Sequence, residues 1–194
     1  MMTECPDVGE LIQELSARLI QGSTATGTLQ AWCEEHHLSS GPISVLCHHH
    51  APAFRIDDDI LGKLEARPGE TTWYRRVQLV RGSLLLSEAE NWFIPQRLPP
   101  EMADILSTTD IPFGRAIAPL KPFRRTLSVR VPAVVPRCSA VHFSGMGRIE
   151  CRLPTVVLDH EAIVIGDDGT PLAVVREGYR AELVSFARPI QEQA

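Results

Sequence analysis

Two charged residues stand where the alternation of side chains calls for apolar ones. In the run Trp73-Tyr74-Arg75-Arg76-Val77-Gln78-Leu79, Arg75 is in phase with Trp73, Val77 and Leu79. In the run from Leu172 to Phe186, Glu177 is in phase with Ala173, Val175, Tyr179, Ala181 and Leu183, whereas Arg176 shares its face with Arg180 and Glu182. Period-two alternation marks a strand, so a strand that turns this face to the core carries its charge inward. Burying a charge costs several kcal/mol unless it is paired. The pattern therefore predicts either a buried Arg75–Glu177 ion pair or a site shaped for a polar ligand. Arg76, Arg115, Arg124 and Arg125 add local positive potential, and a planar guanidinium suits bidentate recognition of a carboxylate. Asp110-Ile111-Pro112-Phe113-Gly114-Arg115 reads as a loop in which Gly114 allows close backbone approach and neighbouring amides can meet an anion.

Cys33, His36, His37, Cys47, His48, His49 and His50 form a second group of chemically able side chains. Their spacing matches no standard zinc motif, so no metal is expected. Cys33 and His36 read as part of a helix's buried face, and His48 to His50 as a polar loop. Cys138, Cys151 and His142 read as structural, and His160 as a secondary candidate for a pocket.

The elements that must position these groups follow from local pattern. Asp7 and Glu10 have capping-box spacing ahead of Val8, Leu11, Ile12, Leu15 and Leu19, which predicts a helix over 8–20. A second helix opens at Ser23-Thr24-Ala25-Thr26-Gly27 and ends near His37. A short strand over Ile43 to Cys47, a helical turn over Asp57 to Leu64 and the breaker Arg67-Pro68-Gly69-Glu70 come next. The strand from Thr72 reverses at Arg81-Gly82-Ser83 into a second strand over Leu84 to Ile94. Leu98-Pro99-Pro100-Glu101 starts a helix with Met102, Ile105 and Leu106 inward. Leu127, Val129 and Val131 alternate with polar residues, the segment from Pro132 to Pro154 is irregular, and Val156 to Ile165 with Leu172 to Phe186 form a second hairpin around Gly166 to Thr170. Hairpin-joined strands with few helices predict an α+β fold, a mainly antiparallel sheet with flanking helices.

The chain has 194 residues, 44% of them hydrophobic and 22% charged, and a formal net charge of −5. These values describe one globular domain spanning 1–194 and lack the broad basic surface used against nucleic acid or an anionic membrane. The N-terminal residues carry no basic stretch followed by an apolar one, and the five cysteines show no CxxC spacing, which reads as a cytoplasmic protein with reduced thiols.

The run Trp73 to Leu79, then Leu86-Ser87-Glu88-Ala89-Glu90-Asn91-Trp92-Phe93-Ile94-Pro95, then Thr108 to Arg115, resembles the chorismate lyase-like family in residues, order and spacing. Gly22 to Thr26 with Leu29, Trp32 and Cys33 is similar to that family's helix start, and Pro171 to Leu183 to its last strand. The resemblance implies a ligand cavity enclosed beneath helical flaps. It implies a carbon–oxygen lyase that releases pyruvate from chorismate to leave 4-hydroxybenzoate, without a cofactor, in ubiquinone precursor synthesis. It implies Arg75 and Glu177 as catalytic residues, Arg75 on the ligand carboxylate and Glu177 near its hydroxyl. Thr24, Phe113, Gly114, Arg115 and Glu90 complete the implied binding site. Thr24, Phe113 and Glu90 stand where the family carries a larger apolar residue, Leu and Gly, so a related cyclic or aromatic carboxylate is an equal candidate for the small anionic partner. The alternative is a non-catalytic aromatic-acid sensor, since the effector domains of some GntR-type regulators share this fold. A monomer or homodimer is expected, with neither nucleic acid nor membrane as partner.

Overall fold

A computed structural model of the chain describes residues 7–22, 24–132 and 153–187. Six strands form one antiparallel sheet in the order β1-β2-β3-β6-β5-β4. They span Ile43–Pro52 (β1), Trp73–Arg81 (β2), Leu84–Phe93 (β3), Phe123–Arg130 (β4), Val156–Ile165 (β5) and Pro171–Arg180 (β6). The helices are α1 (Val8–Gln21), α2 (Ala25–Glu35), α3 (Asp58–Leu64), α4 (Pro100–Thr108) and the single turn α5 (Phe113–Ala116). The α+β architecture with a mainly antiparallel sheet is thus the one its alternating strands predict.

The two hairpins, β2–β3 and β5–β6, are local products of their turns. Gly82 adopts a φ of 58° between paired Arg81 and Leu84, and Gly169 a φ of 83° in the second turn, both conformations that favour glycine. The hairpins join through β3 and β6, which sets Ala89 opposite Glu177 and Asn91 opposite Val175. That junction brings the residues of two distant segments onto one sheet face.

On this face α1 and α2 cover one end. Asp7 caps α1 through its carboxylate and Gly9 N, and the apolar stripe Leu11, Ile12, Leu15 and Leu19 is buried. Thr24 caps α2, its Oγ1 accepting from Gly27 N at 3.1 Å. Trp32 is buried below and donates from Nε1 to Leu183 O at 2.9 Å. Leu98, Leu106, Phe113 and Ile117 pack with Phe93 and Leu172 at the other end of the sheet. On the opposite face, α3 packs Ile60 and Leu64 on Ile163, Ile165 and Val174.

Three boundaries depart from the sequence pattern. The polar loop expected after Cys47 is strand as far as Pro52, because β1 pairs with β2 to Trp73 past a bulge between Cys47 and His49. A solvated edge strand tolerates polar side chains, and His49 and His50 lie against Tyr74 and Trp73 with ring centroids 5.5 and 4.6 Å apart. Strand β6 stops at Arg180, and a 3-10 turn over Ala181–Leu183 turns Leu183 into the core. In β4 a bulge between Thr126 and Ser128 leaves Leu127 and Val129 exposed. Residues 133–152 of the segment expected to be irregular, with Cys138, Cys151 and His142, lie outside the described residues, as does Cys5.

No helix among the described residues is long and apolar enough to cross a membrane.

Candidate functional site

A cavity of about 100 Å3 lies between the helix-covered sheet face and the starts of α2 and α5. Its floor is Val77 and Leu79 of β2, Ala89 and Asn91 of β3, Val175 and Glu177 of β6 and Val164 of β5. Its walls are Thr24 to Thr26, Pro112 to Gly114 and Pro122 to Arg124. The two helix starts touch: a Cβ on Gly114 would stand 3.4 Å from Thr24 Cγ2. A larger groove of about 590 Å3 adjoins this seam and shares Thr24, Thr26, Pro112 and Gly114 with the cavity.

Glu177 and Arg124 are the charged side chains of the lining. Glu177 is 5% exposed, and its carboxylate accepts from Ser87 Oγ at 2.7 Å and Tyr179 OH at 2.9 Å. The Arg124 side chain is 11% exposed, with Nη2 at 3.9 Å from Glu177 Oε2. Its Nε and Nη2 have no hydrogen-bond partner among the described residues. Burial weakens a cation, but the neighbouring Tyr179 and Glu177 outweigh that effect and raise the Arg124 pKa. Burial, with Glu177 beside it, pushes the Tyr179 phenol well above its usual range, so Tyr179 is a neutral donor. What results is a buried cation at the cavity wall, beside a carboxylate that is already hydrogen-bonded.

Arg75 and Glu177 both point inward, yet they are not a pair. Arg75 is 0% exposed and outside the cavity lining. Its Nη1 donates to Ile111 O at 2.9 Å and its Nη2 to Thr109 O at 3.0 Å. The guanidinium therefore ties β2 to the loop that leads into α5 and so sets the wall formed by Phe113 and Gly114. Thr24, Phe113 and Gly114 line the cavity, whereas Arg115 lines the adjoining groove. Glu90 lies on the other sheet face, where it accepts from Tyr74 OH at 2.6 Å. The sheet register explains its place, because Glu90 pairs with Arg76 and alternates with the inward Ala89 and Asn91. It sets no carboxylate against a ligand in the cavity.

The pattern of β4 concealed Arg124. Its apolar residues are the exposed ones, and only the pairing of Arg124 with Val164 of β5 reveals that the guanidinium shares the inner face. Tyr179 was visible as a residue in phase with Glu177 on the last strand, whereas the hydrogen bond from Ser87 to Glu177 needs the β3–β6 register. Among the described residues no three metal-ligand side chains converge. Cys33 is buried under α2, and His36 stacks between Trp32 and Phe186.

His160 does not line the cavity but sits beside it, opposite Glu177 in the β5–β6 ladder. It is 2% exposed, with Nε2 at 3.1 Å from Ser16 Oγ. Burial, reinforced by the Arg124 charge, pushes its pKa down to about 4. The unfolded chain would take up a proton near the ordinary value of about 6.5. Its contribution to stability is therefore complete above that value and is lost as the pH falls towards about 4. Wild type should lose about 2–3 kcal/mol of unfolding free energy from this group across that window. His160→Asn should flatten the decline in urea titrations at successive pH values. Glu70, held down at about 2 by Arg97, contributes its own loss only at lower pH.

No protein-family profile matches the chain. It is 34% identical over 188 residues to a protein of Sinorhizobium fredii that bears the name "Uncharacterized protein y4mC", an alignment covering 93% of this chain and 78% of the relative. Among solved structures, it is similar to the effector domain of PhnF from Mycobacterium smegmatis, with a TM-score of 0.53 and 12% identity over 82% of this chain and 90% of that one. The ligand-binding domain of a GntR-family transcriptional regulator from Bordetella bronchiseptica gives 0.50 and 15% over 80% and 91%. The fold is thus the chorismate lyase-like one in the form found in regulator ligand-binding domains.

These likenesses overturn the carbon–oxygen lyase expected from the sequence, together with its chorismate, pyruvate and ubiquinone associations. The similar solved structures named above are an effector domain and a ligand-binding domain of regulators. The geometry runs the same way, since the Arg75 implied to hold the substrate carboxylate lies outside the cavity lining and donates from each terminal nitrogen to a main-chain carbonyl. By sequence identity across nearly its whole length, on a six-stranded sheet of this fold, the chain belongs to the same protein family as y4mC of Sinorhizobium fredii.

Proposed function

We propose that the chain is a non-catalytic binding module that senses a small organic anion, a cyclic or aromatic carboxylate, enclosed between the sheet and the starts of α2 and α5. One observation carries this reading: Arg124 is buried at the cavity wall with Nε and Nη2 unpartnered among the described residues. A buried guanidinium is costly where its charge is only partly compensated, and a carboxylate held in the cavity beside it offsets that cost. Glu177, held by Ser87 and Tyr179, supplies a polar end to a cavity whose lining combines the apolar Val77, Leu79, Ala89, Val164, Val175 and Phe113 with the polar Asn91, Thr24 and Thr26. A few placed polar groups in a largely apolar pocket orient a ligand. The likeness to regulator ligand-binding domains supports a sensor role.

Calorimetric titration with benzoate and 4-hydroxybenzoate, with benzyl alcohol as neutral control, tests the reading. Saturable binding of the acids but not of the alcohol is expected, with no pyruvate released on incubation with chorismate. Ala89→Leu fills the cavity from its floor and should abolish binding while leaving thermal stability unchanged or higher. Undiminished binding by Ala89→Leu would place the ligand elsewhere.

A further inference from the structure

Resting on that reading, we propose that Asn91 determines the specificity of the cavity by selecting acids that carry a hydrogen-bond donor, a hydroxyl or an amine, across the ring from the carboxylate. Asn91 lines the cavity from β3 and is 4% exposed. Its Nδ2 faces Arg75 O on β2 at 3.5 Å, which turns Oδ1 the other way, towards β6 and the ligand space. Oδ1 accepts no hydrogen bond from the described residues. A buried acceptor left without a donor costs about 1–3 kcal/mol, so this atom favours a ligand that brings one.

The sheet register sets where that donor must be. Asn91 lies opposite Val175 and Ala89 opposite Glu177, so Asn91 and Glu177 occupy diagonal corners of the floor, with Ala89 and Val175 at the other two. Diagonal neighbours stand about 7–8 Å apart, somewhat less between side chains. Arg124 belongs to the Glu177 corner, with Nη2 3.9 Å from Glu177 Oε2. A carboxylate held beside that cation therefore has the Asn91 corner about one ring's length away, across the low floor of Ala89 and Val175. A substituent para to the carboxylate spans that diagonal, whereas a meta substituent points off it. Glu177, which the resemblance sets near a ligand hydroxyl, already has one donor on each oxygen. Thr24 Oγ1 is taken up in capping α2, and a threonine hydroxyl such as that of Thr26 rotates to donate or accept, so neither chooses for a donor. Asn91 Oδ1 is the acceptor that does.

Titration calorimetry with 4-hydroxybenzoate, 4-aminobenzoate, 4-methylbenzoate and 3-hydroxybenzoate tests this. The four share a carboxylate and a ring and differ in the donor and its place. The 4-hydroxy and 4-amino acids should bind the wild-type chain at least about tenfold more tightly than the 4-methyl acid, which sets a methyl against Oδ1. 3-Hydroxybenzoate should show no such gain. In Asn91→Leu, folded by circular dichroism, the 4-hydroxy-to-4-methyl ratio should fall to less than about threefold, because the acceptor is gone. If Asn91→Leu does not fold, the side-chain amide resonances of Asn91 in the wild type decide, and they should shift further with 4-hydroxybenzoate than with 4-methylbenzoate. A ratio that survives in Asn91→Leu, or resonances that respond equally to both acids, would overturn the role of Asn91. Equal affinity for the 4-hydroxy and 4-methyl acids in the wild type would overturn the donor selectivity while leaving anion binding in place. Failure of every acid to bind would overturn the binding reading itself.

Discussion

Arg75→Met is expected to lower the unfolding free energy by about 2–4 kcal/mol, because it strips the partners from two main-chain carbonyls at once. Ile111 O and Thr109 O each receive one guanidinium nitrogen, at 2.9 and 3.0 Å, from a side chain that is 0% exposed. Methionine replaces the packing volume but donates nothing, so the loop ahead of α5 loses its tie to β2. Thr109 is exposed in the folded chain, so water can rescue part of that carbonyl's loss, which holds the estimate below two full desolvation penalties. Arg75→Lys should fall between the two, since an ammonium keeps the charge but lacks the rigid fork that reaches both carbonyls. Urea unfolding at pH 7.5 measures the effect. If Arg75→Met retained wild-type stability and lost only benzoate binding, Arg75 would be a ligand contact, as the chorismate lyase-like resemblance implies. Its two bonds to the loop before α5 are what the expected loss of stability rests on.

Arg124→Met should weaken benzoate binding by about tenfold or more, the equivalent of one charge-assisted interaction. The side chain lines the cavity and makes no hydrogen bond to the described protein through Nε or Nη2, so its removal takes away the cation at the wall without breaking such a bond. Arg124→Lys should recover part of the affinity, because the ammonium keeps the charge but not the planar guanidinium. Arg125→Met is the matched control. It removes the same charge one residue further along β4, from an exposed position, and should leave binding within about twofold, since exposed charge is screened. Calorimetry on the three variants separates a directed contact from general electrostatic attraction. Equal affinity in Arg124→Met and wild type would remove Arg124 from the site.

Much of the architecture was legible because it rests on local rules. The cap and apolar stripe of α1, the Gly82 reversal and the alternation of β2 and β6 each depend on neighbours a few residues apart. Alternation also identified Arg75 and Glu177 as inward charges, and both are buried. It could not say what each meets. Arg75 finds carbonyls that lie 34 and 36 residues away in the chain, and Glu177 finds a serine 90 residues away. The extension of β1 through three histidines was concealed for a related reason, since an edge strand is held by its partner's backbone and not by its own side-chain pattern.

The amino-acid sequence by itself determined the two hairpins, the antiparallel α+β class and the inward face of Arg75 and Glu177. These follow from periodicity and turn chemistry, whose range is a few residues. Only the tertiary structure decided which charge serves the cavity. Pairing β4 with β5 brings Arg124 to the inner face, pairing β3 with β6 brings Ser87 to Glu177, and docking of the loop before α5 takes Arg75 out of the lining. A buried ionic group takes its role from what surrounds it, and in this fold those surroundings are assembled from segments that meet only when the sheet closes its register.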